Sequence, residues 1–314
     1  MISDRQVKYI VTVDDYKSFS AASRALSISQ PTLSMQIKKA EDILGVIIFD
    51  REKKPLKVTD KGIFVLKQCR RIQREFDQLA PIKDQENIYA GEYKIGVIPT
   101  IAPYLIPLFV QSFEKKYKNV KLFFYERQTD ELLQEIKEEK LDFGILATPS
   151  GDDQIYEKVL YYEPFNFYLN KNNGLLRFGE IDVKDLESET LYQLEDGHCL
   201  RYQTEQICGR LQGKLNDNIV LSGGQLETLI NLTKKFGGIT LVPELFMHYL
   251  NKQEMKYIRP IKGKTLTREV SIITSRFFVH EDISNIVEKE ILFNLPENIK
   301  SLKKSKVKIV PIKE

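Results

Sequence analysis

The side chains with the clearest potential for chemistry are two cysteines, Cys199 and Cys208, which lie nine positions apart. His198 precedes the first cysteine and Arg201 follows two positions later, so cationic groups flank that thiol. Gly197 permits a sharp turn before a predicted helix. A cysteine at a helix N-terminus beside cations is expected to have a lowered pKa, because both favour the thiolate. A thiolate attacks a peroxide oxygen and becomes a sulfenic acid, which a second thiol converts to a disulfide.

The spacing of the two cysteines places a condition on that disulfide. If the segment between them is helical, a rise of about 1.5 Å per residue separates their Cα atoms by about 13 Å. A disulfide requires roughly 4.4–6.8 Å between Cα atoms, so the helix would have to unfold locally first. The bond would then hold a different conformation, which is a covalent two-state switch. The alternative from the residues alone is two buried structural cysteines.

Length and composition limit the class of protein. A chain of 314 residues, 42% hydrophobic and 29% charged, is globular and long enough for two or three domains. No apolar run reaches the roughly 18 residues of a membrane span, and no signal-peptide segment follows Met1, so we expect a cytoplasmic protein without a membrane partner. Three cysteines are too few for a disulfide scaffold.

The net charge of +3 is unevenly distributed. Residues 1–74 contain 15 Lys and Arg against 8 Asp and Glu, a balance of +7 that leaves −4 for the remainder. A basic N-terminal segment indicates a polyanionic partner at that end of the chain. Lysines also crowd the C-terminus, which we interpret as a solvated end. They are Lys300, Lys303, Lys304, Lys306, Lys308 and Lys313.

The basic segment has the pattern of a helix-turn-helix. Helices are predicted over residues 4–16, over a short stretch near 21–26, and from a cap at Ser29 to Gly45. The polar face of the third helix suits the base edges and phosphates of a DNA major groove. The candidate DNA-binding residues of this helix are Ser29, Gln30, Pro31, Thr32, Ser34, Gln36 and Lys39.

A basic β-hairpin, or wing, is predicted after the third helix. Its turn contains Arg51, Lys53 and Lys54, and the natural partner of these cations is the phosphate backbone. Residues 63–80 then show the spacing of an amphipathic helix that has no place in a small three-helix core, which favours a partner helix.

Strands and helices alternate after residue 90. Strands are predicted over residues 93–98, 120–125, 141–146, 160–169 and 239–242, and helices over 102–117 and 130–139. The alternation indicates βαβ units on a mainly parallel sheet, arranged as two small α/β subdomains joined by crossover strands. Ligands in such folds bind at strand C-termini and helix N-termini, so the loops at 98–100, 128–130 and 222–225 are candidate binding loops.

The N-terminal motifs resemble a known family. They are Ser18–Ala22, Ser29–Ser34, Ile37–Glu41, Leu44-Gly45, Phe49–Arg51 and Thr59–Gly62. Over about 60 residues their order closely resembles the winged helix-turn-helix of LysR-type transcriptional regulators. The resemblance implies an α/β fold with a DNA-binding domain over 1–60, a linker (dimerisation) helix and hinge over 61–89, and a regulatory domain like that of periplasmic binding proteins over 90–314. Its subdomain I is expected over about 90–163 and 269–314, and subdomain II over about 164–268.

A second set of motifs resembles the hydrogen-peroxide-sensing members of the same family. Residues 194–201 read Leu-Glu-Asp-Gly-His-Cys-Leu-Arg, followed by Cys208, and further matches are Ile98–Thr100, Gln128-Thr129, Leu226–Leu229 and Gly238–Leu241. By this resemblance Cys199 is the peroxidatic cysteine and Cys208 the resolving one. Two departures, Tyr202 in place of an aspartate and Gln225 in place of a serine, affect the expected details of the pocket but not the thiols.

The same resemblance implies which side chains hold and polarise the peroxide. Hydroxyl groups would bind it, and an imidazole and two guanidinium groups would polarise the site. These residues are Thr100, Thr129, His198, Arg201 and Arg268.

The sequence therefore predicts a DNA-binding transcriptional regulator, an activator in the oxidative-stress response, with promoter DNA as partner and hydrogen peroxide as effector. Homodimers or homotetramers, contact with RNA polymerase and a thiol reductant such as a glutaredoxin or thioredoxin are expected, and no cofactor or metal. One alternative is a LysR-type regulator of a metabolite bound between the subdomains, with inert cysteines. Another is a thiol peroxidase, but an enzyme is not expected because it has no need of a winged helix-turn-helix.

Overall fold

The computed structural model describes residues 2–53, 55–79, 89–209, 225–276, 278 and 281–312. The chain divides into two compact units, Met1–Gly91 and Glu92–Glu314. Lys54 of the predicted wing and residues 222–224 of the third predicted binding loop lie outside the described residues. None of the helices in these ranges combines the length and apolar character that crossing a bilayer requires.

The first unit combines a three-helix core, a two-stranded hairpin and a long helix. Its elements are α1 (Asp4–Tyr16), α2 (Phe19–Ala25), α3 (Gln30–Leu44), β1 (Phe49–Asp50), β2 (Lys57–Val58) and α4 (Asp60–Leu79). The cap at Ser29 is confirmed, since its hydroxyl accepts a hydrogen bond from the Thr32 N–H, and Gly45 ends α3 at φ 67°. Ser18 caps α2 in the same way, so this helix begins two residues earlier than predicted.

Helix α4 is partly embedded in this unit. Arg70, with its side chain 7% exposed, lies on α4 and donates through Nη2 to Asp14 and Asp15 of α1, at 2.6 Å each. Burial raises the pKa of the neighbouring Cys69 thiol to about 11. Two apolar side chains one turn apart on the same helix, Ile72 and Phe76, remain exposed at 39% and 52%. An exposed apolar pair of this kind is what the sequence predicted for a helix that pairs with a partner.

The second unit is built on one mixed sheet flanked by helices. Its strands are β3 (Gly91–Val97), β4 (Val120–Glu126), β5 (Phe143–Thr148), β6 (Ile155–Leu169), β7 (Leu191–Tyr192), β8 (Ile239–Pro243), β9 (Ile258–Pro260), β10 (Leu266–Ser275) and β11 (Lys308–Ile309). Its helices are α5 (Ala102–Lys116), α6 (Thr129–Lys137), α7 (Cys199–Cys208), α8 (Leu226–Phe236), α9 (Glu244–Met247), α10 (Glu281–Asn294) and α11 (Glu297–Lys300).

The strand order is β4-β3-β5-β10-β6-β8-β7, with β11 on β10 and β9 on β6. The expectation of a mainly parallel sheet is wrong, because the two longest strands, β6 and β10, pair antiparallel with each other and with their neighbours β5 and β8. Strand β6 pairs with β10 as far as Pro164 and with β8 from Phe165 onward. One continuous strand thus joins the two halves of the sheet.

The C-terminal segment is an ordered part of this unit. Strand β11 pairs in parallel with the start of β10, opposite Leu266 and Thr267. Val307 and Val310 are buried at 4% and 5% exposure, whereas Lys308 between them points to solvent. Lys303, Lys304, Lys306 and Lys308 are exposed as predicted, whereas Lys300 is half-buried and Lys313 lies outside the described residues. The backbone that carries the exposed lysines is not a free end.

Candidate functional site

Helix α7 places the two cysteines at its opposite ends, since it begins at Cys199 and ends at Cys208. Both are free thiols and both are buried, at 6% and 5% exposure. A continuous helix of this length separates their Cα atoms by about 13 Å, so the predicted obstacle to a disulfide is confirmed. Burial raises the pKa of Cys208 to about 12, and that sulfur is an unreactive thiol while the helix is intact.

A glycine turn brings the start of α7 against the start of α6. Gly197 has φ 94°, and a Cβ at this position would lie 2.7 Å from Oε1 of Gln128. The left-handed backbone at this position favours glycine, because other residues are strained there. Gln128 is the N-cap residue of α6, and the next residue, Thr129, acts on the Cys199 sulfur.

The end of strand β5 supplies a backbone donor to the same sulfur. Strand β3 pairs with β5 only as far as Val97 opposite Ile145, and Ile98 then turns into α5. Because N–H directions alternate along a strand, the N–H of Ala147 points to the side that β3 has left. It hydrogen-bonds to Cys199, as does the N–H of Leu200 in the first turn of α7.

A fully buried ion pair lies beside the thiol. Nε of Arg268 donates to Oε2 of Glu163 at 2.7 Å, and neither side chain is exposed. The guanidinium also donates through Nη1 to the Thr100 hydroxyl and through Nη2 to the Thr100 carbonyl, both at 3.0 Å. The second oxygen of Glu163 accepts from the N–H of Leu245 at 2.8 Å, so the carboxylate is held at both oxygens. A charge this deeply buried persists only when it is paired and hydrogen-bonded.

These residues, Thr100, Thr129, Glu163, Cys199 and Arg268, are called the thiol site below. Burial raises the pKa of Cys199, and the opposing effects of Arg268, Thr129 and the two backbone N–H groups do not reverse it. The expectation of a lowered pKa is therefore wrong for this state, because the sequence does not reveal how completely the sulfur is withdrawn from water. The resting group is a thiol whose deprotonated form is nevertheless supported by four neighbours.

Two residues predicted to act as cations beside the sulfur are neutral or paired in this structure. Burial lowers the pKa of His198, against the opposing effect of Glu195, so its imidazole is neutral near pH 7. Nε of Arg201 donates to Oε1 of Glu205 at 2.7 Å, and Nη1 donates to the Leu194 carbonyl at 3.3 Å. Among the described residues, Arg268 is the cation whose charge favours the thiolate.

Sequence reasoning missed the carboxylate of the site. Glu163 stands in the predicted strand over 160–169 among aromatic and aliphatic residues, and a single carboxylate in such a strand signals a buried charge with a partner elsewhere. The role of the Ala147 N–H could not be predicted from the sequence, because this group is available only where strand β3 has ended.

A separate candidate site lies on α3 and the hairpin of the first unit. The predicted DNA-binding residues of α3 are on its outward face, where five are exposed and two are half-buried. The exposed ones are Ser29, Gln30, Pro31, Thr32 and Lys39, and the half-buried ones are Ser34 and Gln36. Met35, 61% exposed on the same face, was not predicted.

The cations of the wing are partly engaged within the unit. Arg51 donates to the Ser34 hydroxyl at 2.8 Å and to Oε2 of Glu41 at 3.1 Å, while its side chain remains 39% exposed. Oε1 of Glu41 accepts from the N–H of Ile48 at 2.7 Å, so this carboxylate ties α3 to the hairpin. Lys53 is 61% exposed and lies 3.7 Å from Asp50.

Among the residues that the structure describes, no cluster of three or more His, Cys, Asp or Glu side chains has an arrangement that would hold a metal ion.

Comparisons with known proteins match both units. Residues 5–63 match the bacterial regulatory helix-turn-helix protein model of the lysR family, and residues 87–279 match the LysR substrate binding domain. The chain is 31% identical over 271 residues to the hydrogen peroxide-inducible genes activator of Haemophilus influenzae, covering 86% of this chain and 89% of that protein. It is 32% identical over 242 residues to the DNA-binding transcriptional dual regulator OxyR of Escherichia coli, covering 77% and 79%. A full-length OxyR variant from Pseudomonas aeruginosa has a similar structure, with a TM-score of 0.74 and 25% identity over 93% of this chain and 98% of that one.

Proposed function

The chain belongs to the LysR-type family of bacterial transcriptional regulators, and we propose that it is a DNA-binding regulator of the oxidative-stress response that hydrogen peroxide switches through Cys199. Relatives named hydrogen peroxide-inducible genes activator match more than three quarters of the chain. The observation that carries the proposal is the thiol site itself. A buried sulfur with a guanidinium, a hydroxyl and two backbone N–H groups directed to it is built for reaction with a small electrophile.

The first chemical step oxidises Cys199. Its sulfur donates an electron pair to one oxygen of hydrogen peroxide, the O–O bond breaks, and the other oxygen departs with the former thiol proton as water. Thr100 and Thr129 hold the peroxide in this proposal. The Thr100 hydroxyl already accepts a hydrogen bond from Arg268 and is free to donate its own proton, and the Thr129 hydroxyl is directed to the Cys199 sulfur. His198 and Arg201 border the start of α7 and are assigned to polarise the entering peroxide.

The second step forms a disulfide and supplies the switch. The Cys208 sulfur displaces the sulfenic oxygen from Cys199, an S–S bond replaces the S–O bond, and a second water leaves. Because α7 keeps the thiols about 13 Å apart, the helix must unwind before this step. The disulfide then retains the unwound state until a dithiol reductant such as a glutaredoxin or thioredoxin reduces it.

The remaining assignments follow from the DNA-binding unit. Helix α3 enters the major groove of promoter DNA and the wing, including Arg51, Lys53 and Lys54, contacts phosphates. Helix α4 pairs two chains, dimers assemble into tetramers, and RNA polymerase is the partner through which the oxidised form acts as an activator. The protein acts in the cytoplasm. It is not an enzyme in this proposal, because forming one disulfide per chain is a signalling event and not catalytic turnover.

The Cys199→Ser variant tests the proposal, with Cys69→Ser as the matched control because Cys69 is equally buried but lies on α4. We expect C199S to lose all response to micromolar peroxide in a promoter reporter while DNA affinity stays within about twofold. Thiol mapping by mass spectrometry after a brief peroxide pulse should find a Cys199–Cys208 disulfide and an unmodified Cys69. A response that survives in C199S would exclude peroxide sensing at this residue and favour a metabolite sensor.

A further inference from the structure

Tyr161 on β6 is a buried tyrosine that the proposed mechanism does not use. Its residue is 4% exposed, and its hydroxyl oxygen has no hydrogen-bond partner among the described residues. A buried hydroxyl without a partner is destabilising, and native structures contain few of them. The contacts of the resting protein therefore do not explain why a buried hydroxyl stands at this position.

The strand register puts Tyr161 on the face of β6 that carries Glu163 of the thiol site. Side chains two positions apart on a strand share a face, so Tyr161 lies on the same face of β6 as Glu163. Glu163 is opposite Arg268 on β10, and Tyr161 is opposite Val270 two positions further along. Arg268 consequently interacts electrostatically with both Tyr161 and Cys199.

The thiol site therefore has two hydroxyls near one guanidinium, and the one on Tyr161 has no hydrogen-bond partner among the described residues. The other belongs to Thr129, which is 5% exposed and whose hydroxyl is directed to the Cys199 sulfur. Each is a hydrogen-bond donor and acceptor held away from water in the resting protein. A small molecule with two adjacent oxygens, each able to donate and accept, satisfies both groups.

We propose that the Tyr161 hydroxyl is a further peroxide-binding group, which donates a hydrogen bond to the oxygen that leaves while Thr129 holds the oxygen that is transferred to sulfur. This inference rests on the proposed function. Burial, reinforced by the nearby charge of Glu163, keeps the phenol protonated, so it remains a donor throughout. As the O–O bond breaks, the electron pair collects on the departing oxygen, which takes the former thiol proton and leaves as water, and Tyr161 retains its own proton.

The contribution of Tyr161 differs from that of Arg268. The guanidinium already donates three of its five N–H groups, one to Glu163 and two to Thr100. An additional donor without a prior partner responds to charge that develops only as the bond breaks, which is how a site favours the transition state over the resting state.

The test uses the full chain carrying C69S and C208S, so that Cys199 is the one thiol and its oxidation stops at the sulfenic acid. Second-order rate constants are measured for hydrogen peroxide and for iodoacetamide, which needs the thiolate but has no leaving oxygen. We expect Tyr161→Phe to lower the peroxide rate constant about tenfold, the scale of one hydrogen bond to a charged oxygen, and to leave the iodoacetamide rate constant within about twofold.

Tyr162→Phe is the matched control, because this neighbour points to the opposite face of β6 and hydrogen-bonds Glu269. Y162F should change neither rate constant. Since the Tyr161 hydroxyl has no partner, Y161F should also keep or raise the Tm.

Three results would overturn the inference. An unchanged peroxide rate constant in Y161F would mean that the hydroxyl hydrogen-bonds at most to an ordered water and not to the peroxide. An equal fall in both rate constants would assign it to the thiolate and not to the peroxide. A lowered Tm or failure to fold would reveal a structural hydrogen bond. If the parent protein itself is not oxidised at Cys199 by peroxide, the proposed function fails instead, and that outcome is separate from any effect of Y161F.

Discussion

The protonation state of Cys199 is decided by two opposed effects at one sulfur. Burial disfavours the thiolate, whereas Arg268, the Thr129 hydroxyl and the N–H groups of Leu200 and Ala147 favour it. Burial is the larger effect, so the pKa lies above the ordinary value and the thiol dominates at neutral pH. Reaction then proceeds through the small thiolate fraction that the site stabilises.

The raised pKa predicts how reactivity depends on pH. Below its pKa a thiol gains about tenfold in thiolate fraction for each pH unit, so the rate constant of Cys199 with iodoacetamide should rise about tenfold per unit from pH 6 to pH 8. Stopped-flow measurements on the C69S/C208S protein provide the profile. A plateau reached by pH 7 would place the pKa below neutrality and contradict the dominance of burial.

At this scale the sequence predicted the reactive residues better than their electrostatics. The motif around Cys199 identified both thiols, and the resemblance identified Thr100, Thr129 and Arg268, which the fold brings together. The sign of the pKa shift was wrong because flanking cations are visible in a sequence and desolvation is not.

Helix α7 is attached to the C-terminal strand by one buried hydrogen bond. Gln203 is fully buried in the middle of α7, and its Nε2 donates to the carbonyl of Val310 at 2.9 Å. The N–H of Val310 in turn donates to the Thr267 carbonyl at 2.8 Å, next to Arg268 of the thiol site. Unwinding α7 must therefore break a contact with an element that follows it by about a hundred residues in the chain.

We expect Gln203→Leu to accelerate disulfide formation. Loss of one buried hydrogen bond in the wound state is worth about 1 kcal/mol, which corresponds to about fivefold faster conversion of the Cys199 sulfenic acid. Quenched-flow thiol mapping after a peroxide pulse measures that step. Gln206→Leu is the control, since Gln206 is exposed on the same helix. Equal rates in the two variants would show that the Val310 contact does not restrain α7.

Element boundaries were predictable where caps are local and unpredictable where pairing is distant. Ser29 and Gly45 mark the ends of α3 by their own chemistry, and the structure has them there. The antiparallel pairing of β6 with β10 joins segments about a hundred residues apart, and no local pattern reveals its direction. The ordered strand β11 was missed for the same reason, because its pairing with β10 is distant in sequence and the local sequence is rich in lysine.

The proposed association of two chains concerns the whole molecule, and α4 makes it testable. Ile72 and Phe76 are exposed one turn apart on a helix whose preceding residues are fixed to α1 through Arg70. We expect the I72S/F76S double variant to weaken self-association at least about tenfold, because apolar anchors carry most of the energy of an interface. Sedimentation velocity over a concentration series measures the change.

A matched variant separates this surface from general loss of apolar contact. Phe236 is 61% exposed on α8 of the second unit, and F236S should leave self-association unchanged. The I72S/F76S variant should lose more affinity for DNA with two half-sites than for DNA with a single half-site, because only the two-site DNA binds both chains of a dimer. A double variant that sediments as the parent does would assign self-association to other surfaces.

The pairing of Arg268 with Glu163 also bears on which oxidants can approach Cys199. One full positive and one full negative charge, both withdrawn from water, leave the interior without a net charge. An anionic oxidant would lose its hydration and meet a carboxylate with no unmatched cation to compensate, whereas a neutral oxidant crosses at little electrostatic cost. The ion pair thus acts as a filter on the charge of incoming molecules, which discriminates before any contact with the sulfur is made.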